Sequence, residues 1–285
     1  MATAEMGDSD HAIELLWRPG EPVPPRPGLT VDRIVRAAVA VADADGLEGL
    51  SMRKVGARLG FTSMSLYRHV PGRDQLVDLM CDAVLGQVAD AVPTAGGWRD
   101  RLAALARAGW ELRRRHPWLT QVRGTRRIPG PNGVAHYEDL LSAVADAGLA
   151  PAETIAVVGL VSRFVDAEAT RLVEVANTEQ RSGVSEQDWW GARDALYARL
   201  DGYPTLSSLW EAGGFDEPED SFEFGLRTVL DGIEALIQHR RYEKRDVTCR
   251  LCGNAVQRSA SGRPRKYCSQ ACRQRAYRAR GQEFP

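Results

Sequence analysis

Residues 51–73 read SMRKVGARLGFTSMSLYRHVPGR, and this stretch constrains the fold more than any other. Ser51 can cap a short helix that carries Met52, Val55 and Leu59 on one face. LGFTS breaks that helix. A second short helix, over about 63–69, turns Leu66 inward, and VPGR stops it. Two short amphipathic helices joined by a tight glycine-containing turn predict a helix-turn-helix.

The flanking sequence is helical on both sides. LTVDRIVRAAVAVADADGLEGL repeats Ile34, Ala37, Ala38, Val41 and Ala42 at helical spacing, with Thr30 as N-cap and Gly46 at its end. From Asp74 a longer amphipathic segment follows. Residues 98–248 read as further helices broken by Pro and Gly, with no sustained period-2 alternation in 30–245 and no internal repeat. The expected class is all-α: a three-helix helix-turn-helix domain over 29–75 and a larger helical domain over 76–245. Ahead of them, PGEPVPPRP (19–27) predicts a flexible, extended Pro-rich arm over 1–28. A tail over 246–285 follows.

Charge separates these parts. From residue 249 onward there are nine Lys/Arg and one acid, a net +8, against −9 for residues 1–248. A basic appendage on an acidic body implies an anionic partner. Inside the acidic body, Ser51–Arg73 holds five cations (Arg53, Lys54, Arg58, Arg68, Arg73), one histidine and no acid. Such a patch on a helix-turn-helix is the footprint expected for duplex DNA. The second short helix would enter the major groove. Thr62, Ser63, Met64 and Ser65 could reach base edges or phosphates there, and Tyr67 and Arg73 phosphates. No apolar run approaches the roughly 18 residues of a membrane span. The acidic start MATAEMGDSD lacks the order of a signal peptide, so a cytoplasmic protein is expected.

Residues 29–82 resemble, without gaps, the DNA-binding domain of the tetracycline-repressor (TetR) family. The most specific match is MSLYRHVPGRDQLVD, which carries that family's L-Y-x-H-[VF] signature into its fourth helix. The next 150 or so residues resemble its ligand-binding domain, through the Trp98 W-x-x-x-L-x-x-L-A pattern, HPWL (116–119), GPNG (130–133) and AGLAPAET. The resemblance implies a homodimeric regulator, usually a repressor, whose small-molecule effector changes the spacing of two recognition helices on a double-stranded operator. Two late helices, roughly 152–178 and 220–240, would build the dimer's four-helix bundle. Val157, Val158, Leu160, Val161 and Phe164 supply apolar surface on the first. Phe224, Leu226, Val229, Leu230, Ile233, Leu236 and Ile237 supply it on the second; the alternative is that both faces pack only within one subunit.

For the effector, the resemblance points to His69, which aligns with a ligand-contacting histidine but at the end of the reading helix fits a purely structural role equally, and to GTRR (124–127), with Thr125 and Arg126, where such repressors carry a loop near ligand and metal. Val122 or Arg123 falls where the magnesium-binding histidine would stand, a departure that argues against a tetracycline–magnesium ligand. Trp110, Trp118, Arg163, Phe164 and Asp166 are further candidates; Trp and Phe at helical spacing are more often plain core.

Cys249-x2-Cys252-x15-Cys268-x3-Cys272 supplies four thiolates in two close pairs, a set suited to one tetrahedral zinc per chain at Zn–S distances of about 2.3 Å. Gly253 permits a tight turn, and Cys268 and Cys272 face one way on a first helical turn. The pattern predicts a treble-clef-like or zinc-ribbon module that is structural, because four thiolates close the coordination sphere. The 37 residues from 249 onward cannot bury enough surface unaided, so metal would supply the folding energy. Two disulfides or a redox switch are the alternatives. The YCSxxC phrase resembles a small zinc protein that inhibits DNA gyrase, and only the metal site is carried over. Arg273, Arg275, Arg278 and Arg280 follow on a helix that could touch phosphates beside the operator or an acidic protein. Removing everything after Asp246 is then expected to weaken DNA binding and flatten its salt dependence. Cys81 stands alone and reads as a spectator thiol.

No nucleotide loop, H-E-x-x-H or G-x-S-x-G is present, so an enzyme is not expected. The alternative to a regulator is a zinc-dependent protein-interaction module on a dimeric helical scaffold.

Overall fold

The computed structural model describes residues 12–18, 28–91, 96–122, 127–216, 220–256 and 266–280. Four helices form the first part: α1 Val31–Gly49, α2 Met52–Leu59, α3 Ser63–Tyr67 and α4 Arg73–Leu85. Thr30, Ser51 and Thr62 cap the first three, each accepting from a backbone N–H three residues on. α1 breaks near its end, where Gly46 turns to φ 70°. The turn between α2 and α3 depends on two glycines. Gly60 ends α2 at φ 76°, in the left-handed region. Gly56 lets α3 approach: a Cβ there would stand 2.7 Å from the Phe61 carbonyl oxygen.

Ile34, Ala38, Val55, Leu66, Val70, Leu76 and Met80 are fully buried in one core shared by α1–α4. The division expected at 75/76 falls inside that core, because α4 buries Leu76, Val77, Leu79, Met80 and Val84 in it. Nor is all of 1–28 an extended arm. Residues 12–16 are helical, and Leu16 is buried in the same core. Trp17 Nε1 donates to the Pro129 carbonyl at 3.2 Å. The physical reason is the apolar face of AIELL, which the proline run downstream does not abolish. Residues 1–11 and 19–27 lie outside the described residues.

The second part comprises α5 Trp98–Arg115, α6 Pro131–Ala145, α7 Pro151–Ser182, α8 Glu186–Gly191, α9 Asp194–Tyr197, α10 Pro204–Glu211 and α11 Ser221–Val247. A second core joins α5, α6, α7 and α11 around Leu102, Val144, Val158, Leu226 and Ile237. Burying each such side chain contributes about 1.5–3 kcal/mol. No helix among the described residues is long and apolar enough to cross a membrane.

The direction of α11 decides where the tail lies. His116, just past α5, bonds to Asp43 of α1, so the C-terminal end of α5 faces the first part. Near its start, α11 meets the middle of α5: Arg107 holds Glu223 through two bonds of 2.7 Å. Further on, Asp231 meets Arg99, at the opposite end of α5, and Arg240 meets Glu153, in the first turn of α7. α11 therefore runs away from the helix-turn-helix, and its 27 residues carry it about 40 Å from its start. Cys249 follows at once, with a Thr248–Ala255 bridge and then α12, Gln270–Arg280.

Candidate nucleic-acid interface, effector cavity and thiolate cluster

α3 presents an open surface. Met64 is 69% exposed and Tyr67 44%, while Leu66 faces the core. Arg53, Arg58 and Arg68 are exposed beside it. Thr62 is exposed too, but its hydroxyl is committed: it accepts from Ser65 N at 3.3 Å and lies 3.0 Å from Ser65 Oγ. Ser63 and Ser65 are half-buried. Two of the expected phosphate ligands have partners within the chain. Lys54 Nζ is 2.8 Å from Asp45 Oδ2, an acid just outside the window that reads as purely basic. Arg73 Nη2 donates to the Leu47 carbonyl at 2.7 Å, tying α4 to the end of α1.

Between α4, α5 and α7 lies a cavity of about 300 Å³, lined by Cys81, Leu85, Leu112, Arg113, Leu119, Thr120, Val122, Asp166 and Thr170. Arg113 pairs with Asp166 across it. His136 is half-buried; burial first, then the charge of Arg113, holds its pKa below the usual histidine value, with Asp139 opposing. Burial pushes the Cys81 thiol up to about 11, so it is a neutral, unreactive wall. Cys81 and Arg113 were not among the expected ligand residues. Cys81 reads as an isolated thiol and Arg113 as one of three arginines in a row, and only the packing of α4 on α5 singles them out.

Of the expected ligand residues, Asp166 lines this cavity. Trp118 does not belong to it. It is 1% exposed, and its Nε1 donates to Asp43 Oδ1 at 2.8 Å. Trp110 stacks on Phe222 with ring centroids 4.5 Å apart, and Phe164 lies 5.7 Å from the same ring; both are core. Arg163 is exposed and folds back over Gly159 of its own helix. His69 is half-buried just past α3 and is not among the residues lining the cavity. Thr125 and Arg126 lie outside the described residues. Val122 gives the wall an apolar side chain where a metal-binding histidine was considered.

Three side-chain acceptors, Asp43, Gln121 and Asp82, join the first part to the second. Asp43 Oδ1 accepts from both His116 Nδ1 and Trp118 Nε1 at 2.8 Å. Gln121 Oε1 accepts from Leu47 N at 3.1 Å. Asp82, on α4 beside Cys81, is buried and accepts from Gly133 N at 2.9 Å and Asn132 Nδ2 at 3.1 Å, at the start of α6.

Many residues expected to face a dimer partner pack within the subunit instead. Val157, Val158, Val161, Leu226, Leu230, Ile233 and Ile237 are buried in the second core, because α7 and α11 first cover α5. Ile155, Leu160, Leu172 and Phe224 remain exposed on the same two helices.

At the far end of α11 the four cysteine sulfurs lie within 4.8 Å of one another. Three edges measure 3.5, 3.6 and 3.7 Å. A tetrahedral zinc with four Zn–S bonds of about 2.3 Å has S···S edges of about 3.8 Å, so the donor set fits that ion. Burial raises the Cys249 thiol, but backbone N–H groups of Cys268, Cys252 and Leu251 directed at its sulfur outweigh that and bring it down to about 6. The bonds that the Cys268 thiol makes to the Cys252 and Cys272 sulfurs push it up to about 12. α12 starts with Cys272 half-buried; Arg273, Arg275 and Arg278 are exposed, and the Arg280 side chain lies outside the description. This module follows α11 at the end of the molecule remote from α3, so Arg273, Arg275 and Arg278 do not lie beside α3.

The pattern described as "Bacterial regulatory proteins, tetR family" matches residues 34–80, and "Tetracyclin repressor-like, C-terminal domain" matches residues 92–237. The HTH-type transcriptional repressor DrrR1 of Streptomyces coeruleorubidus is 40% identical over 247 residues, 85% of this chain and 91% of the relative. Tetracycline repressor protein class A from transposon 1721, of Escherichia coli, is 27% identical over 210 residues, 72% of this chain and 90% of that one. The crystal structure of ActR from Streptomyces coelicolor in complex with actinorhodin has a TM-score of 0.60 at 29% identity, over 74% of this chain and 97% of that one. Regulators of this family bind operator DNA, dimerise and take up small-molecule ligands. The chain belongs to the tetR family of bacterial regulatory proteins, and is a DNA-binding regulator and not an enzyme.

Proposed function

We propose that this chain is a homodimeric, cytoplasmic repressor that leaves its operator when a small molecule enters the cavity between α4, α5 and α7. The observation that carries the reading is the path from that cavity to the reader. Cys81 and Leu85 of α4 line the cavity, Asp82 between them holds α6, and α4 shares its core with α3. A ligand that fits only one setting of α4 shifts the population of that setting and with it the spacing of two α3 helices. Leu85, Leu112, Leu119 and Val122 favour an apolar ligand body, and the Arg113–Asp166 pair a polar edge. The complex of ActR with actinorhodin supports a small-molecule effector for this chain. α7 and α11 are the dimer helices in this reading, with Ile155, Leu160 and Phe224 at the seam.

On α3, Met64 and Tyr67 meet the DNA first, flanked by Arg53 and Arg68. In the tail, Cys249, Cys252, Cys268 and Cys272 hold one structural zinc, and the folded module adds a nucleic-acid contact of its own. A mobility-shift titration on the intergenic DNA upstream of the gene tests the reading. The expected result is a retarded, palindrome-dependent band at low salt, released by a ligand that also raises the protein's melting temperature. No such band sinks it.

A further inference from the structure

We propose that α12 holds a second DNA duplex, distinct from the operator, at the end of the molecule opposite α3. The inference rests on the operator reading of α3 and goes beyond it to the partner of the tail. Residues 266–280 carry five cations and no acid. On α12 Cys272 and Ala276 are half-buried on one narrow stripe, whereas Ala271, Arg273, Gln274, Arg275, Tyr277 and Arg278 are exposed. At 3.6 residues per turn, Arg273 and Tyr277 line one flank of that open surface and Arg275 and Arg278 the other, with Gln274 at the crest. Tyr277 is 79% exposed. A helix with arginines on both flanks suits a major groove about 12 Å wide, where each flank meets one phosphate backbone. A protein groove would call for an apolar stripe on the exposed face, and the crest here is glutamine.

Position excludes the operator itself. α11 starts against the middle of α5 and runs about 40 Å from there, away from α3, before the module begins. Duplex DNA has a persistence length of about 150 bp, so a bound segment of 20–30 bp cannot bend back to reach both ends. A DNA contact at α12 therefore belongs to another segment, on a second molecule or far along the same one. A regulator built this way bridges two DNA segments.

The test uses the full-length zinc-loaded protein. A biotinylated 40-bp upstream duplex is immobilised, and a fluorescent 30-bp duplex of random sequence is offered in solution. The wild type is expected to capture at least tenfold more labelled duplex than Arg273→Ala/Arg275→Ala/Arg278→Ala. Retention of the two proteins on the immobilised duplex should be equal, and the triple variant's residual capture should fall with salt less steeply, by about 3 in log–log slope. Cys268→Ser, which breaks the module without touching the arginines, should lose capture as well. Equal capture by wild type and triple variant overturns the proposal. So does no capture by a wild type that still holds the upstream duplex, the outcome expected if the tail meets an acidic protein. Weaker retention of the triple variant on the upstream duplex also overturns it, because the tail would then touch the operator. A wild type that holds neither duplex removes the operator reading and this inference together.

Discussion

Asp43 holds the reader against the effector domain with a single carboxylate oxygen, shared by His116 and Trp118. Asp43→Ala leaves the buried indole N–H of Trp118 without an acceptor, a loss of about 1–3 kcal/mol. Thermal unfolding should show it, and Asp43→Asn, which keeps an oxygen, should recover much of it. If Asp43→Ala melts with the wild type, the joint contributes nothing. His136 gives the molecule a sign in pH. Its folded pKa lies below the ordinary value of 6.5, mainly through burial. On acidification the unfolded chain takes up that proton first, so stability is full above about pH 6.5 and is lost as pH falls below it. His136→Gln should therefore lose less melting temperature between pH 7.5 and 5.5 than the wild type; an equal or larger loss would contradict the assignment. Neither residue announces itself in sequence. Asp43 and Trp118 lie 75 positions apart, and a tryptophan beside a proline gives no sign of whether it lines a cavity or closes a joint.

The helix-turn-helix is the part of the fold most fully written in local sequence. Its caps, its glycines and the spacing of Met52, Val55 and Leu66 act within a few residues of one another, so they can be read without knowing the rest of the chain. Gly56→Ala pushes a methyl to 2.7 Å from the Phe61 carbonyl oxygen, and backbone must yield. A cost of about 1–3 kcal/mol in a denaturant titration is expected. The charge on the same element was less legible: Asp45 sits outside the basic window and takes Lys54. Arg53, which is exposed, is the better phosphate ligand. Arg53→Ala should weaken binding about equally across sequences and lower the salt slope by about 0.9, whereas Met64→Ala should change which sequences are preferred. An Arg53 variant whose slope is unchanged would place the phosphates elsewhere. On α7 and α11 periodicity identified apolar faces correctly but not their partners, because the residues that cover α5 and those left for another subunit share one helix and differ only in angle.

For the whole molecule, the cysteine spacing announced the four-sulfur cluster, yet its place depended on helix direction. Only the pairing of Arg107, Arg99 and Glu153 with successive positions of α11 shows that the tail leaves the body at the end remote from α3. The two hydrophobic cores contain no described residue of the module. Chelation should therefore abolish the helical signal of α12 in circular dichroism and leave the main unfolding transition in place. A main transition that shifts with the chelator would mean that the module braces α11. The most direct test of the central claim is a hydroxyl-radical footprint of the upstream DNA, taken with the full chain and with a chain ending at Asp246. Both should protect the same two half-sites, about one helical turn apart, over the same length. A footprint without paired half-sites, or one that shrinks when the tail is removed, would contradict it.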